Sequence, residues 1–138
     1  PLIYEDGNQR RDFIHVRDLV RGKLLLLDHP DANDDIFNIG TGKPSSILDL
    51  AETLIELCGK NFSPDIIYKF RNGDIRDCYA DISKIKALGF APELSLREGL
   101  KDLIAWSDSQ EAVSRVGDAH QKLVEKGLVL ETQPVTSK

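Results

Sequence analysis

The chain has 138 residues, of which 41% are hydrophobic and 30% are charged, and this composition is typical of a globular protein with one domain and its own core. A net charge of -5 and a pI near 5.2 exclude a nucleic acid or an anionic membrane surface as the partner, because both require a dense cationic face. The longest apolar run, residues 24–27, is far shorter than the roughly 20 residues that span a bilayer, and no signal-peptide pattern opens the chain, so we expect a cytoplasmic location.

The first part of the chain predicts short strands around one helix. Residues 1–4 and 12–14 have the character of brief strands on either side of a turn. From Val16 onward, apolar residues recur at the spacing of one helix face, and the helix must end before His29 because Pro30 disfavours helical backbone at that residue. Residues 36–39 predict another strand, apolar on both faces apart from Asn38, of the kind found inside a covered sheet.

The glycine-containing segment 40–46 lies between that strand and a second helix. It lacks both the P-loop spacing and the three glycines of a dinucleotide fingerprint, so a structural turn is a better interpretation than a phosphate cradle. Ser46 is the predicted N-cap of the helix, and Asp49 favours its positive end. Apolar residues continue at steps of three and four to Cys58. Gly59 then stands just after the helix, where a left-handed backbone conformation is common.

The remaining elements are predicted from the same rules. Residues 66–70 form a strand that carries Arg71 at its end, a charged loop covers 71–77, and Asp81 caps a short helix that continues through Leu88. Ser95 and Glu98 begin a fourth helix with a capping box. Its predicted inward residues are Leu96, Leu100, Leu103 and Ile104, with Trp106 near its end. A last helix covers 113–126, with Val116, Ala119, Leu123 and Val124 inward. We expect one domain over 1–130 and a frayed tail over 131–138.

The sequence contains no residue that must be catalytic and no metal-ligand spacing. His15, His29 and His120 are scattered, and His15 is expected to be a core or supporting residue. Cys58 and Cys78 form neither a zinc pattern nor a disulfide framework, so both are expected to be small buried residues.

Two clusters of cations remain as candidates for a binding site. Arg10 and Arg11 stand just before the first helix, and a planar guanidinium such as that of Arg11 suits phosphate oxygens. A second cation–acid cluster contains Arg71 and Asp74, and if the fold brings both clusters together they form a clamp for a charged, hydroxylated ligand. The alternative is that the arginines are exposed ion pairs worth under about 1 kcal/mol each, and spacing alone favours this alternative.

Several blocks of the sequence resemble the C-terminal part of the NAD-dependent nucleotide-sugar epimerases and dehydratases, which are extended short-chain dehydrogenases. The blocks are residues 4–16 with Asp18, residues 37–42, residues 71–74, residues 79–84 and residues 89–92, in that order. Residues 115–129 most resemble the dTDP-L-rhamnose 4-epimerase branch. The resemblance implies an α/β fold, which as an isolated piece is α+β, with few short strands, about five helices and no Rossmann domain.

The resemblance also implies a ligand and its contacts. In this family an N-terminal Rossmann domain binds NAD and carries the catalytic Tyr-x-x-x-Lys, while the C-terminal part holds the nucleotide-diphosphate sugar. By position, Arg11 and Arg71 contact the diphosphate from two sides, and Asp74 accepts from ribose hydroxyls. Tyr4 lies against the pyrimidine, and Gln9 is a weaker candidate for a polar contact near the phosphates.

The sequence departs from the family pattern in ways that limit what this chain should do. It has no glycine-rich dinucleotide fingerprint and no Tyr-x-x-x-Lys, so we expect it neither to bind NAD nor to turn over a sugar by itself. It has no methionine and begins with Pro1, so we expect a piece of something longer. Such a piece should expose apolar surface and an open sheet edge and should self-associate. A stand-alone module that binds nucleotides or a protein partner is the alternative.

Overall fold

The computed structural model of the chain describes residues 1–111 and 115–131, over which five α-helices and seven very short strands are found. The helices are α1 Val16–Asp28, α2 Ile47–Leu57, α3 Ser83–Ala87, α4 Leu96–Ser107 and α5 Val116–Glu125. The strands are β1 Leu2–Ile3, β2 Arg10–Arg11, β3 Ser45–Ser46, β4 Asp65–Ile66, β5 Lys69–Arg71, β6 Asp77–Cys78 and β7 Val129–Glu131. One 3-10 turn, Pro30–Ala32, follows α1. The predicted mixture of about five helices with few short strands is therefore confirmed.

The strands pair in three small sheets. β1 pairs in parallel with β4, β2 lies between antiparallel β3 and parallel β6, and β5 pairs antiparallel with β7. β7 has no counterpart among the predicted elements, and it includes Glu131, the first residue of the predicted tail. Residues 132–138 of that tail lie outside the described residues.

The strand predicted at residues 12–14 is wrong in its position, because β2 lies just before it. Asp12 turns its carboxylate toward the backbone amides of Thr41 and Gly42, at 2.8 and 3.0 Å, instead of continuing a ladder. Ile14 then packs against the core from an irregular segment. The strand therefore ends just before Asp12, whereas the sequence pattern places a strand at residues 12–14.

Two further strand predictions fail because of tertiary structure. Residues 36–39 form no strand in the described structure, and Ile36 is 85% exposed. The predicted strand 66–70 is split, because Tyr68 adopts a left-handed backbone (φ 51°) between β4 and β5. These two strands belong to different sheets, since β4 pairs with β1 and β5 pairs with β7. A left-handed residue other than glycine is not foreseeable from an apolar run.

The capped helices agree closely with the sequence. α1 ends at Asp28, immediately before His29. At the start of α2, Ser46 and Asp49 form a complete capping box, and Ser95 and Glu98 form another at the start of α4. Within the described part of the chain, none of the helices has the length and apolarity needed to cross a bilayer.

The two other helices begin later than predicted. α3 begins at Ser83, and Asp81 lies before it with its carboxylate accepting a hydrogen bond from the Ser83 amide at 2.9 Å. α5 begins at Val116, whereas Val113, where the prediction begins, lies outside the described residues. The predicted inward face of α5 is wrong except for the half-buried Leu123. The exposed residues of that face are Val116, Ala119 and Val124.

Three more residues that were expected to be buried are exposed. Cys58 is the C-cap of α2, where the chain leaves the helix toward solvent. Cys78 lies in β6, an edge strand that pairs with β2 in the described structure and is exposed along its length. Leu103 of α4 is 49% exposed, whereas Leu100 of the same helix is 6% exposed. The expectation of small buried cysteines is therefore wrong.

The core lies between α1, α3 and the segments that follow them. Its buried centre is Ile82, Ile85 and Phe90, and the apolar side chains packed on this centre are Ile14, Leu25, Leu26, Phe37, Ile39 and Ala80. Gly22 allows α1 to approach, because a Cβ at that position would lie 2.9 Å from Ile39 and 3.2 Å from Phe90. The opposite face of α1 is apolar yet exposed, as expected, at Val16, Val20, Leu24 and Leu27.

A buried carboxylate ties α1 to the segment before α4. Asp18 is 1% exposed, and it accepts hydrogen bonds from the amides of Glu93 and Leu94 at 3.0 and 2.9 Å and from Arg21 at 2.6 Å. Burial by itself would raise the pKa of Asp18, but the amides and the guanidinium together lower the pKa below its ordinary value. The charged form of Asp18 is therefore part of the folded structure.

We predict that Asp18→Asn destabilises the chain by about 1.5 to 3 kcal/mol at pH 7, because charge-assisted hydrogen bonds to a buried carboxylate are lost. Since the pKa of Asp18 is lower in the folded than in the unfolded chain, its stabilisation is complete above about pH 4 and is lost as the pH falls through the folded pKa. Thermal unfolding of the variant should therefore depend less on pH between about 5 and 2.

Asp35→Asn is the matched control, because it removes an exposed carboxylate that pairs with Lys84. We expect little change in Tm for this control at pH 7. Equal losses of stability in the two variants would contradict the special role of the buried carboxylate.

Candidate functional site

Three of the five predicted ligand residues meet where β1 and β5 end. Tyr4 follows β1, and the amide of Glu5 donates to the carbonyl of Lys69 at 2.7 Å, which ties the end of β1 to the first residue of β5. The guanidinium carbon of Arg71 lies 5.2 Å from the centroid of the Tyr4 ring, within cation–π range. Its Nε donates to Asp74 at 2.8 Å. The half-buried ring of Tyr4 and the exposed Arg71 and Asp74 therefore form one cluster.

Gln9 lies beside this cluster but faces inward. It is 8% exposed, and its Nε2 donates to the backbone carbonyl of Tyr4 at 2.8 Å. Its Oε1 is buried and has no hydrogen-bond partner among the described residues. Gln9 thus braces the backbone that carries Tyr4 and keeps one unused acceptor.

Arg11 is directed at backbone carbonyls. Its Nη1 donates to the carbonyls of Arg10 and Arg76 at 2.8 and 2.9 Å, and its Nη2 donates to the carbonyl of Ile75 at 2.5 Å. A guanidinium has five N–H groups, so these three hydrogen bonds leave two of them without a partner in the described part of the chain. Arg11 and Arg71 are therefore linked through one loop, residues 71–77, which Arg71 begins and Arg11 binds.

The ion pairs that hold this loop involve a residue that the sequence analysis does not single out. Arg76 donates to Glu5 at 2.6 Å and to Asp6 at 2.8 and 3.0 Å. The side-chain hydrogen bond from Arg76 strongly lowers the pKa of Asp6, and the same contact raises the pKa of Arg76. Sequence spacing does not reveal these partners of Arg76, because they lie 70 and 71 positions earlier in the chain.

A second ion pair joins the same two segments. Arg10 donates to both carboxylate oxygens of Asp77 at 2.9 and 3.0 Å, and its guanidinium lies 5.6 Å from the Tyr79 ring centroid. The side-chain hydrogen bonds raise the pKa of Arg10 and lower that of Asp77. The surface-charge alternative is therefore correct for Arg10, which makes a half-exposed ion pair.

The turn at residues 40–46 is a structural element, as the sequence predicts. Asp12 accepts hydrogen bonds from the Thr41 amide and hydroxyl at 2.8 and 2.5 Å and from the Gly42 amide at 3.0 Å. The Ala80 amide adds a long fourth contact at 3.4 Å. The amides that a phosphate would need are thus occupied by a carboxylate of the chain itself.

The histidines have two different roles. His15 is the N-cap of α1, and its Nδ1 accepts from the amide of Arg17 at 3.2 Å, which agrees with the supporting role expected for it. His120 of α5 shares a 2.7 Å hydrogen bond between its Nδ1 and the Tyr4 hydroxyl. His120 is therefore a member of the cluster that sequence reasoning missed, because the two residues are 116 positions apart.

An apolar groove in the described structure lies away from the predicted ligand residues. It is an open groove of about 900 Å³ between the start of α1, α2 and α4, with Leu54, Leu100 and Trp106 among its lining residues. None of the five predicted ligand residues lines it. Its apolar walls do not suit a diphosphate, and the described residues contain no group of His, Cys, Asp and Glu that could hold a metal ion.

Known proteins are similar to this chain in sequence over most of its length. Residues 1–40 match the model of the NAD dependent epimerase/dehydratase family. A putative UDP-glucose 4-epimerase of Methanocaldococcus jannaschii is 39% identical over 107 residues, which are 77% of this chain and 33% of that protein. A dTDP-L-rhamnose 4-epimerase of Burkholderia thailandensis is 35% identical over 105 residues, which are 75% of this chain and 29% of that protein.

The solved structures agree with these relatives. The UDP-glucose 4-epimerase of Bifidobacterium longum in complex with NAD⁺ and UDP matches with a TM-score of 0.69 and 32% identity over 79% of this chain and 35% of that one. The chain is thus related to the NAD-dependent nucleotide-sugar epimerases and dehydratases and has the fold of the extended short-chain dehydrogenases over the matched part. It spans about a third of the length of the curated relatives it matches.

We predict that Arg11→Lys loosens the loop 71–77, because an ammonium cannot reproduce the fork that binds two neighbouring carbonyls. The amide of Arg10 donates to the Arg76 carbonyl at 3.0 Å and reports on this loop. Its hydrogen exchange should accelerate roughly 2- to 10-fold, the effect of losing about one net hydrogen bond.

Arg97→Lys is the matched control for this measurement. Arg97 makes a bidentate pair with Glu56 between α2 and α4, so the substitution changes the same chemistry at another place. Exchange of the Arg10 amide should be unchanged in the control. An unchanged rate in Arg11→Lys as well would show that the carbonyl contacts do not hold the loop.

Proposed function

We propose that the chain is the nucleotide-sugar-binding portion of an NAD-dependent sugar epimerase or dehydratase, and that the whole enzyme is a 4-epimerase acting by transient oxidation to a keto sugar. The observation that carries the proposal is the cluster of Tyr4, Arg71 and Asp74 at the adjacent ends of β1 and β5. The relatives support it, because their names include 4-epimerases of UDP- and dTDP-sugars. A dTDP- or UDP-sugar is therefore the proposed ligand.

Each member of the cluster offers a chemical group that a nucleotide diphosphate can use. The two Nη groups of Arg71 have no hydrogen-bond partner among the described residues, so they are available to phosphate oxygens. Only one oxygen of Asp74 accepts from Arg71, which leaves the other for a ribose hydroxyl. The ring of Tyr4 supplies a flat apolar face for the pyrimidine base. Gln9 contributes indirectly, by bracing the backbone that carries Tyr4.

Arg11 is the proposed second contact with the diphosphate. Its three hydrogen bonds to carbonyls fix the guanidinium in one orientation and leave two N–H groups for phosphate oxygens. A cation that is already immobile loses little side-chain entropy when a ligand binds. Structural and ligand-binding roles are thus compatible in this one residue.

We assign no contact with NAD to the described residues. The turn at 40–46 is the nearest equivalent of a phosphate cradle, and the amides of Thr41 and Gly42 already donate to Asp12. We propose that the Rossmann portion implied by the resemblance holds NAD in the whole enzyme. When bound there, NAD supplies the hydride acceptor, while the residues described above bind and orient the nucleotide.

The exposed apolar face of α1 is evidence that a larger protein partner packs against this chain. Val16, Val20, Leu24 and Leu27 are 47–79% exposed, and Val16 also lines the apolar groove, so the two surfaces are continuous. An apolar surface of this extent needs a cover. We propose that the NAD-binding portion covers it in the whole enzyme and that the isolated chain covers it by self-association.

We predict that the chain binds UDP and that Arg71→Ala weakens binding about 10- to 150-fold, because a charge-assisted contact with phosphate is lost. Isothermal titration or chemical-shift mapping at millimolar UDP measures the effect, and dTDP is titrated beside it to compare the two bases. Arg11→Ala should also weaken binding and should, in addition, destabilise the loop 71–77.

The control for this titration is Arg97→Ala, whose side chain is as exposed as that of Arg71 (48% against 47%) and pairs with a carboxylate in the same way. Wild-type affinity is expected for it. Equal binding by Arg71→Ala and Arg97→Ala would remove the cluster from the binding site and overturn the proposed function.

We predict that Leu27→Glu reduces self-association of the chain, because it places a charge on the apolar face of α1 at its most exposed side chain (79%). Light scattering across a range of protein concentrations measures the mass. Ile75→Glu makes the same exchange at a side chain that is 62% exposed and lies outside that face, and it should leave the mass unchanged. A wild-type chain that stays monomeric at high concentration would contradict the prediction.

A further inference from the structure

The C-terminal unit, α5 with β7, is attached to the strand that carries Arg71. β7 pairs antiparallel with β5, and Arg71 lies opposite Val129 in the register. The amide of Asn72, which follows β5, donates to the carbonyl of Leu128 at 2.9 Å. The backbone on both sides of Arg71 is therefore set by hydrogen bonds with the C-terminal unit.

The same unit reaches Tyr4 through a side chain. His120 is half-buried, its Nδ1 lies 2.7 Å from the Tyr4 hydroxyl, and the two rings are 6.0 Å apart at an angle of 47°. Arg71 contacts the face of the same tyrosine ring. The ring is thus held at its hydroxyl by the C-terminal unit and at its face by the guanidinium. A tyrosine ring fixed at both places has lost its rotational freedom before any ligand arrives.

We propose that His120 is a positioning residue of the nucleotide site, which acts by fixing the Tyr4 ring in the orientation that receives a pyrimidine base. The inference rests on the function proposed above and adds the C-terminal unit to that site. Immobilising a side chain in advance improves affinity, because ligand binding then loses less side-chain conformational entropy. Removing His120 should lower the affinity for a ligand that carries the base, because His120 acts on Tyr4. It should not affect the phosphate contacts, because the arginines make them.

The experiment compares two ligands, UDP and inorganic pyrophosphate, which lacks the base. His120→Ala should weaken UDP about 2- to 10-fold, the effect of about one net hydrogen bond, and should leave pyrophosphate unchanged. His120→Asn, which keeps a polar atom near the position of Nδ1, should recover most of the lost affinity for UDP. Tm measurements on each variant establish that the chain is folded.

Tyr4→Phe gives an independent variant that leaves α5 intact. It removes the hydroxyl that His120 binds and keeps the ring, so it should weaken UDP as much as His120→Ala does. The double variant should be no weaker than either single variant, because both changes remove the same interaction.

The possible outcomes separate the two proposals. Unchanged UDP affinity in His120→Ala, or an equal loss of pyrophosphate affinity, would overturn the positioning role, the second by showing a general effect on the fold. Additive losses in the double variant would also overturn it. If UDP binding does not depend on Arg71 at all, the proposed function itself fails, whatever His120 does.

Discussion

The position of the loop 71–77 is the constraint on which the candidate site depends. Its residues are exposed throughout and contribute nothing to the buried core, so hydrophobic packing cannot place it. Polar contacts place it instead. Arg11 binds two of its carbonyls, Arg76 binds Glu5 and Asp6, and Arg10 binds Asp77. Isolated surface pairs stabilise little, but these contacts join the same two segments and act as a network.

This arrangement explains why the site sits at the ends of very short strands. β1, β2 and β6 contain two residues each, too few for a stable sheet by themselves. The side-chain contacts between residues 5–11 and 75–77 extend the pairing of β2 with β6 beyond its backbone ladder. Tyr4 directly precedes residues 5–11, and Arg71 begins the loop that contains residues 75–77. The contacts between these two segments therefore also bring Tyr4 and Arg71 close to each other. The apolar face of α1, in contrast, is exposed, although the small core around Ile85 is buried.

The sequence predicts local structure well and long-range placement poorly, for physical reasons that differ by residue. The capping boxes of α2 and α4 need only residues three positions apart, so Ser46 with Asp49 and Ser95 with Glu98 are visible in the sequence. A strand needs a partner elsewhere, and β7 could not be foreseen because its partner β5 is 60 residues away in the ladder. Within the candidate site, motif resemblance identified Tyr4 and Arg71, whereas His120 follows from no motif and becomes apparent only from its contact with the Tyr4 hydroxyl.

For Arg11, the sequence predicts a contact with phosphate but does not predict the contacts with backbone carbonyls that the structure shows. The chemistry that makes guanidinium suitable for phosphate, a rigid planar fork of donors, also makes it suitable for two consecutive carbonyls. In this structure the carbonyls of Ile75 and Arg76 take that fork, and the loop they belong to begins at Arg71. A lysine at position 11 could supply the charge but not the geometry, so selection for phosphate binding and for loop placement would act on the same side chain. The observed contact with the loop and the proposed contact with phosphate are linked physically, because two arginines can hold one diphosphate only if the loop that joins them is fixed.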